Sequence, residues 1–308
     1  MSMITSLRTP ATPIVFPQKM SARIFQFRAP PRDLNGLPPS LGRSGSLEVR
    51  LAATEKEVRK AQKLRFRVFY SEGNARADRT TELLRRDICP YDALCDHLLV
   101  IDHAAVTRFG RVKPKVVGVY RLLRQSVAER CGGFYSAGEF DIAPLLARQK
   151  GKNFLELGRS CVLPDYRSKK VIDLLWRGLW AYVQHHRVDA LIGCASFPTA
   201  NPSDHAEGLA FLSATSAASE DWSASARSEL YVRMNGSDAD KLDMRRALAN
   251  LPPLIKGYLR VGAKFGDGAV IDRQFGTTDV FVIMPVAEIG ARYVQHFGGA
   301  QARPDCAA

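Results

Sequence analysis

The segment Phe154-Leu155-Glu156-Leu157-Gly158-Arg159-Ser160-Cys161-Val162 sets a carboxylate and a guanidinium three positions apart in an otherwise apolar run. On a regular strand Glu156 and Ser160 share one face and Arg159 lies on the other; a bulge at Gly158 turns Arg159 round and brings both charges to one cleft. Arg121 sits in the apolar run Tyr120-Arg121-Leu122-Leu123, and Asp92 and Asp96 flank the start of the segment carrying His97. A charge inside a sheet needs a partner, because desolvating it alone is costly. Arg65, in the first helix, is a further member of this set. Two readings stay open for these residues: ion pairs tying loops to the sheet, or a substrate-binding cleft.

Two other segments suit charged ligands. Asp165-Tyr166-Arg167-Ser168-Lys169-Lys170 joins a strand to a helix, where free backbone N–H groups and the positive helix end favour an anion. Arg167, Ser168, Lys169 and Lys170 are the expected contacts. In Gly266-Asp267-Gly268-Ala269-Val270-Ile271-Asp272-Arg273, Asp267, Asp272 and Arg273 offer the opposite charges that an amino acid's ammonium and carboxylate require. His185 and His186 end a helix, where a cation complements the dipole. His205 follows Asn201-Pro202-Ser203-Asp204 and reads as a helix-cap residue or as an imidazole near the cleft.

The elements that must position these groups follow from periodicity. Leu47, Val49 and Leu51 alternate as a strand with one buried face. Thr54 then caps a helix over 55–70, with Glu57 completing a capping box. Segments 97–101 and 115–123 are strands joined through Gly110, and 153–163 is a strand closed by Pro164. A helix over 169–186 leads to a continuous apolar strand at 190–197, as expected for one covered on both faces. Helices at 203–214 and 252–264 and a strand at 278–284 complete an α/β fold, a mixed twisted sheet covered by helices, in which the 169–186 crossover joins parallel strands. On the last helix Lys256, Arg260 and Lys264 recur every four residues and suggest a cationic face for an anionic membrane surface or an acidic partner.

Residues 1–46 hold seven prolines and no sustained apolar period, and are expected to form a flexible basic arm. The ordered domain is expected over 47–297, followed by a flexible tail, 298–308. A formal charge of +13 points to acidic proteins, anionic lipid heads or nucleic acid. Zinc-finger spacing, a basic helix followed by heptads and an RRM-like aromatic strand pair are all missing, so nucleic-acid binding is not expected. Cys89, Cys95, His97 and His103 lack a CxxC knuckle, and no metal is expected. No run reaches the 18 apolar residues of a membrane helix and the opening lacks a signal-peptide core, so a cytoplasmic location is expected.

Taken together, five blocks resemble the ornithine N-acyltransferases of ornithine-lipid synthesis, a haemolysin-like, GNAT-type family. They are Leu64-Arg65-Phe66-Arg67-Val68-Phe69, Cys95-Asp96-His97-Leu98-Leu99-Val100, Val117-Gly118-Val119-Tyr120-Arg121-Leu122-Leu123, Glu156 to Val162, and Leu251 to Arg260 with the Gly266–Asp272 run. The first four are also similar to the acyl-homoserine-lactone synthases, in whose pattern Arg65, Phe69, Arg121, Glu156 and Arg159 have counterparts. The Trp expected after the first helix of those synthases is absent, whereas the long 251–272 segment fits the ornithine enzymes.

The resemblance implies transfer of a 3-hydroxyacyl group from the phosphopantetheine arm of acyl carrier protein to the α-amine of L-ornithine. It also implies a GNAT-like fold, no tightly bound cofactor, and work near the cytoplasmic face of the inner membrane. In that scheme Glu156 takes the ammonium proton, through water, with Asp92 and Asp96 as the alternative bases. Backbone N–H groups near Cys161 to Leu163 stabilise the oxyanion, and Cys161 need not act as a nucleophile because the thioester is already activated. The turn at 166–172 has no glycine, so it suits the single phosphate of a carrier-protein arm better than a diphosphate.

Overall fold

The computed structural model describes residues 36–235 and 243–298. Its strands are β1 (Gly42–Ser44), β2 (Leu47–Leu51), β3 (Asp96–Asp102), β4 (Lys115–Arg124), β5 (Phe140–Asp141), β6 (Phe154–Val162), β7 (Ala190–Phe197), β8 (Ser225–Ala226), β9 (Lys264–Asp272) and β10 (Thr277–Pro285). The helices are α1 (Glu55–Phe66), α2 (Arg79–Leu84), α3 (Gln125–Cys131), α4 (Ala143–Arg148), α5 (Lys169–His185), α6 (Ala206–Thr215), α7 (Met244–Asn250), α8 (Pro253–Val261) and α9 (Ala291–Gly298). The strands form one sheet in the order β1-β2-β3-β4-β6-β7-β10-β9-β8-β5. Its long strands pair antiparallel except β6 with β7, which run parallel and are joined through α5. The expected mixed sheet with helical cover, including that crossover, is the observed architecture.

Alternation along β10 divides the core in two. Val280, Val282 and Met284 join a cluster with Val49, Leu98 and the Val171, Leu174, Leu175 and Leu179 face of α5. Phe281 and Ile283, pointing the other way as period-2 geometry requires, join Phe140, Phe154, Ile192 and Val270. Gly178 lets α5 lie close on the sheet, since a Cβ there would stand 2.6 Å from Val49 Cγ2 and 3.0 Å from Leu98 Cδ1.

Several boundaries differ from the sequence expectation. The arm expected over 1–46 overlaps the sheet, because Gly42–Ser44 pairs with β2 and Leu37 and Leu41 are buried. Residues 1–35, and the tail at 299–308, lie outside the described residues. Thr54 caps α1 by accepting from the Glu57 N–H, but the Glu57 carboxylate reaches back to Ala53 N rather than to the cap residue. The helix continues as a π-turn over Arg67–Ser71. Helix α8 stops at Gly262, whose φ of +97° is the left-handed C-cap that glycine favours. Lys264 therefore belongs to β9, and the three-cation helical stripe is not formed; Lys256 also donates to Ala249 O at 2.5 Å.

Candidate active site

The parallel strands β6 and β7 pair only from Phe154–Leu157 to Ala190–Gly193 and then part. Beyond that point β6 is held by β4 and β7 by β10, so the sheet forks. A cavity of about 340 Å³ occupies the fork, with Gly158, Arg159 and Ser160 on one side and Cys194 and Ser196 on the other. At its base is Gly193, where a Cβ would lie 2.4 Å from Leu157 O. The expected bulge exists: the β4–β6 register shifts between Val119 and Arg121, and Arg159 has φ +52°. That turn brings Arg159 to the same cavity as Glu156, Arg121 and Phe69. Phe69 is delivered by the π-turn, an insertion common at functional sites, and meets Phe275 edge-on with centroids 5.7 Å apart.

One wall is cationic. Arg159 donates to Tyr135 Oη at 3.3 Å, stands 3.3 Å from Asp87 Oδ2, and lies over the Phe275 ring at 4.4 Å. Arg121 is 3% exposed, and its Nη1 has no hydrogen-bond partner, although Asp92 Oδ1 lies 3.6 Å away. Behind them Arg65, 1% exposed, bonds Asp92 through Nη1 at 2.9 Å and Nη2 at 2.6 Å, and pairs with Asp87 at 2.8 Å. Burial raises the Asp92 pKa, but the Arg65 charge and hydrogen bonds outweigh it and hold the carboxyl well below the usual range.

Glu156 accepts from Tyr135 N at 2.8 Å, from Ser136 N at 2.7 Å and from the Ser136 hydroxyl. Burial nevertheless pushes its pKa up. A carboxylate offers about four acceptor sites, so these three donors leave one for an ammonium or a water in the cavity.

The far wall is acidic. Asp279 on β10 and Asp272 at the end of β9 both line the cavity, and one carboxylate oxygen from each lies within 4.8 Å of the other and of Glu139. Asp272 Oδ1 is fixed by the N–H groups of Gln274 at 2.7 Å and Phe275 at 2.9 Å, and Glu139 accepts from the Cys194 thiol at 3.3 Å. Asp279 is 6% exposed and its Oδ1 has no hydrogen-bond partner. Burial, then the charge of Asp272, pushes the Asp279 pKa up to about 7. Burial and the same two aspartates raise Glu139 well above the carboxylate range.

Of the residues expected from sequence, Glu156, Arg159, Arg121, Phe69 and Asp272 line the cavity. Others do not. Arg65 and Asp92 are buried against each other behind the wall, where Gln62 Nε2 and Cys89 N also donate to Asp92. Asp96 alternates with His97 and so faces α5, accepting from Tyr182 Oη at 2.6 Å. Asp267 is exposed on β9 and accepts from Tyr231 Oη, and Arg273 is exposed in the β9–β10 turn. Arg167, Ser168, Lys169 and Lys170 are exposed at the start of α5 outside the cavity lining. His205 lies against Thr199 Oγ1 at 3.1 Å, also outside the lining. Leu163 N donates to Val117 O, which removes it from the expected oxyanion donors. Burial pushes the Cys161 thiol up, the wrong direction for a nucleophilic thiolate.

Sequence reasoning missed Asp279, Glu139, Tyr135 and Ser136. Asp279 had a weaker signal, a charge at the head of the apolar run Val280 to Met284 rather than inside it as at Arg121. Glu139 had none, since β5 is two residues long.

Residues 64–177 match the model of the acetyltransferase (GNAT) domain. The chain is 51% identical over 258 residues to an L-ornithine N(alpha)-acyltransferase of Agrobacterium fabrum, covering 84% of this chain and 87% of that one. It is 50% identical over 258 residues to the protein of the same name from Rhizobium meliloti, covering 84% and 86%. Among solved structures it is similar to FeeM, an N-acyl amino acid synthase from uncultured soil microbes, at 11% identity and TM-score 0.45, covering 79% of this chain and 93% of that one. With half of the aligned residues identical to these relatives over most of its length, the chain is an N-acyltransferase with a GNAT domain and belongs to the L-ornithine N(alpha)-acyltransferase family.

Proposed function

We propose that the enzyme transfers a 3-hydroxyacyl group from acyl carrier protein to the α-amine of L-ornithine, forming lyso-ornithine lipid. The observation that carries this reading is the polarity of the cavity, with Arg121 and Arg159 on one wall and Asp272 and Asp279 on the other. An amino acid carries both charges, and ornithine carries an additional ammonium. The names of the relatives support the same acceptor.

In this scheme the donor's thioester enters the fork and the acceptor lies across it, its carboxylate toward the guanidinium wall. The α-ammonium gives its proton to Glu156, directly or through one water, at the acceptor site left free by the three fixed donors. The neutral amine nitrogen then attacks the thioester carbonyl carbon. The C–N bond forms, the nitrogen gives up its second proton as the C–S bond breaks, and the pantetheine sulfur takes up that proton and leaves as a thiol. Arg167, Lys169 and Lys170 receive the donor's phosphate and the acidic carrier protein at the start of α5.

Purified protein with 3-hydroxyacyl carrier protein and L-ornithine should yield the N-acylated amino acid by mass spectrometry. Formation of a homoserine lactone from S-adenosylmethionine instead, with ornithine untouched, would overturn the reading.

Peripheral membrane association is part of the proposal. No described helix is long and apolar enough to cross a membrane. The β3–β4 hairpin, however, exposes Val106 (63%), Phe109 (74%) and Val112 (67%) beside Arg108, Arg111 and Lys113. Apolar tips among cations suit an anionic bilayer surface. Flotation with anionic vesicles that fails for Phe109→Asp would support it; equal flotation of both proteins would remove the hairpin from this role.

A further inference from the structure

Three buried carboxylates converge at one end of the cavity, where the catalytic scheme leaves them unused. Glu139 is 6% exposed, Asp272 4% and Asp279 6%, and each contributes an oxygen within 4.8 Å of the other two. Like charges packed so closely away from water repel strongly, and such a group is stable only when it holds a proton or a cation. The protein supplies backbone N–H groups for Asp272 and the Cys194 thiol for Glu139. The Thr277 and Ser196 hydroxyls act on the Asp279 carboxyl, but its Oδ1 is buried and has no hydrogen-bond partner, and the residue lines the cavity. The charge of Arg159 offsets the cluster only in part, its guanidinium being engaged by Asp87 and Tyr135. The free oxygen thus faces the space that a ligand would fill.

We propose that Asp279, with Asp272 and Glu139, forms a subsite for the side-chain ammonium of the acceptor, so that the enzyme selects a diamino acid over a neutral one. The inference rests on the ornithine reading and assigns the end of the molecule that does not react. The α-amine must lose its proton to attack, whereas a side-chain ammonium keeps its charge and three donors throughout the reaction. Such a permanent cation compensates the acidic cluster in both ground and transition states. The raised pKa of Asp279 agrees with this arrangement: without the ammonium the cluster retains a proton near neutral pH, and the ligand's charge replaces it. A hydrocarbon side chain of the same length leaves the carboxylates buried without a cation, the kind of mismatch on which strong discrimination rests.

The test compares L-ornithine with L-norvaline, which has the same carbon chain and lacks the δ-amine. The unaltered enzyme should favour ornithine in kcat/KM by on the order of 100-fold, as expected for a buried charge that gains or lacks its partner. Asp279→Asn should lower that preference by about the same factor, and calorimetric titration without acyl donor should give the same loss in ornithine affinity. Retained circular dichroism and thermal melting establish that the variant is folded, and Asp272→Asn, on the neighbouring strand, should lower the preference in the same sense. An equal loss of kcat/KM with both acceptors would overturn the proposal and assign Asp279 to the reacting amine. A preference that does not change would also overturn it, as would saturable binding of Mg²⁺ or Ca²⁺ that Asp279→Asn abolishes and activity requires. Acylation of ornithine by the unaltered enzyme in the same experiment separates these outcomes from failure of the parent reading, since an enzyme inactive toward ornithine removes both.

Discussion

Asp92→Asn isolates the ion-pair network behind the cationic wall. The Asp92 carboxylate takes two bonds from Arg65, one from Gln62 Nε2 at 2.9 Å and one from Cys89 N at 3.1 Å, with Arg121 3.6 Å away. Asparagine preserves the shape, but it turns one acceptor into a donor and leaves two guanidinium groups facing less negative charge. Breaking a buried pair from one side costs about 3–5 kcal/mol. In a domain of this size that corresponds to a fall in melting temperature of roughly 6–20 °C by scanning calorimetry.

A double-mutant cycle supplies the control. Arg65→Met with Asp92→Leu removes both partners together and should cost clearly less than the two single changes added, because the charge that each single change leaves without its partner is removed as well, Asp87 and Arg121 being affected in either case. The acid limb gives a second check. An aspartate whose folded pKa is depressed contributes its stability above its unfolded value of about 3.9, and that contribution is lost as pH falls through the lower folded value. Stability of the unaltered protein should therefore drop below about pH 4 more steeply than that of Asp92→Asn. A single variant melting within about 2 °C of the parent, or strictly additive single changes, would refute the network's role.

Three further outcomes follow from the site. Glu156→Gln should lower kcat by on the order of 100-fold or more while the fold is retained, and an unchanged kcat across pH would exclude Glu156 as the essential base. Changing Arg167, Lys169 and Lys170 together to Gln should raise KM for the carrier-protein donor about tenfold at low salt with kcat retained; an unaltered KM would place the carrier protein elsewhere. Asp279 has its folded pKa raised to about 7. Its contribution is therefore fully present below the unfolded value of about 3.9 and is lost as pH rises through 7, a loss on the order of 4 kcal/mol. The ligand-free protein should lose thermal stability between pH 5 and 8, and Asp279→Asn should flatten that decline; parallel curves would refute the assignment.

The sheet was legible because its strands obey period 2 and α5 obeys its apolar spacing, so β2, β3, β4, β6, β7, β10 and the crossover were all readable. Short elements were not. Strands β5 and β8, two residues each, are made by neighbours in space rather than by a sequence pattern. Strand β9 was hidden by Gly266 and Gly268 and by Asp267, which suggested a ligand loop. Glu156 and Arg159 were found as a pair because a charge inside an apolar run must be explained. Arg65 and Asp92 gave the same signal yet form the support behind the wall, since sequence marks a buried charge without saying whether its partner is the protein or a ligand. Only the paired geometry of Arg65, against the unpartnered oxygen of Asp279, makes that distinction.

The bulge residue of β6 adds an evolutionary constraint. Arg159 occupies φ +52°, a conformation that costs an L-residue about 1–2 kcal/mol and glycine almost nothing. Gly158 is its immediate neighbour, so glycine already occurs in this turn. Arg159→Gly would relax the backbone while removing the guanidinium from between Tyr135 and Phe275. The same change takes one of its guanidinium partners from buried Asp87, and a buried pair broken from one side costs about 3–5 kcal/mol, more than the backbone relief. Arginine should therefore persist at position 159 even under selection for thermostability alone, its ion pair holding the turn in a conformation that glycine would otherwise favour.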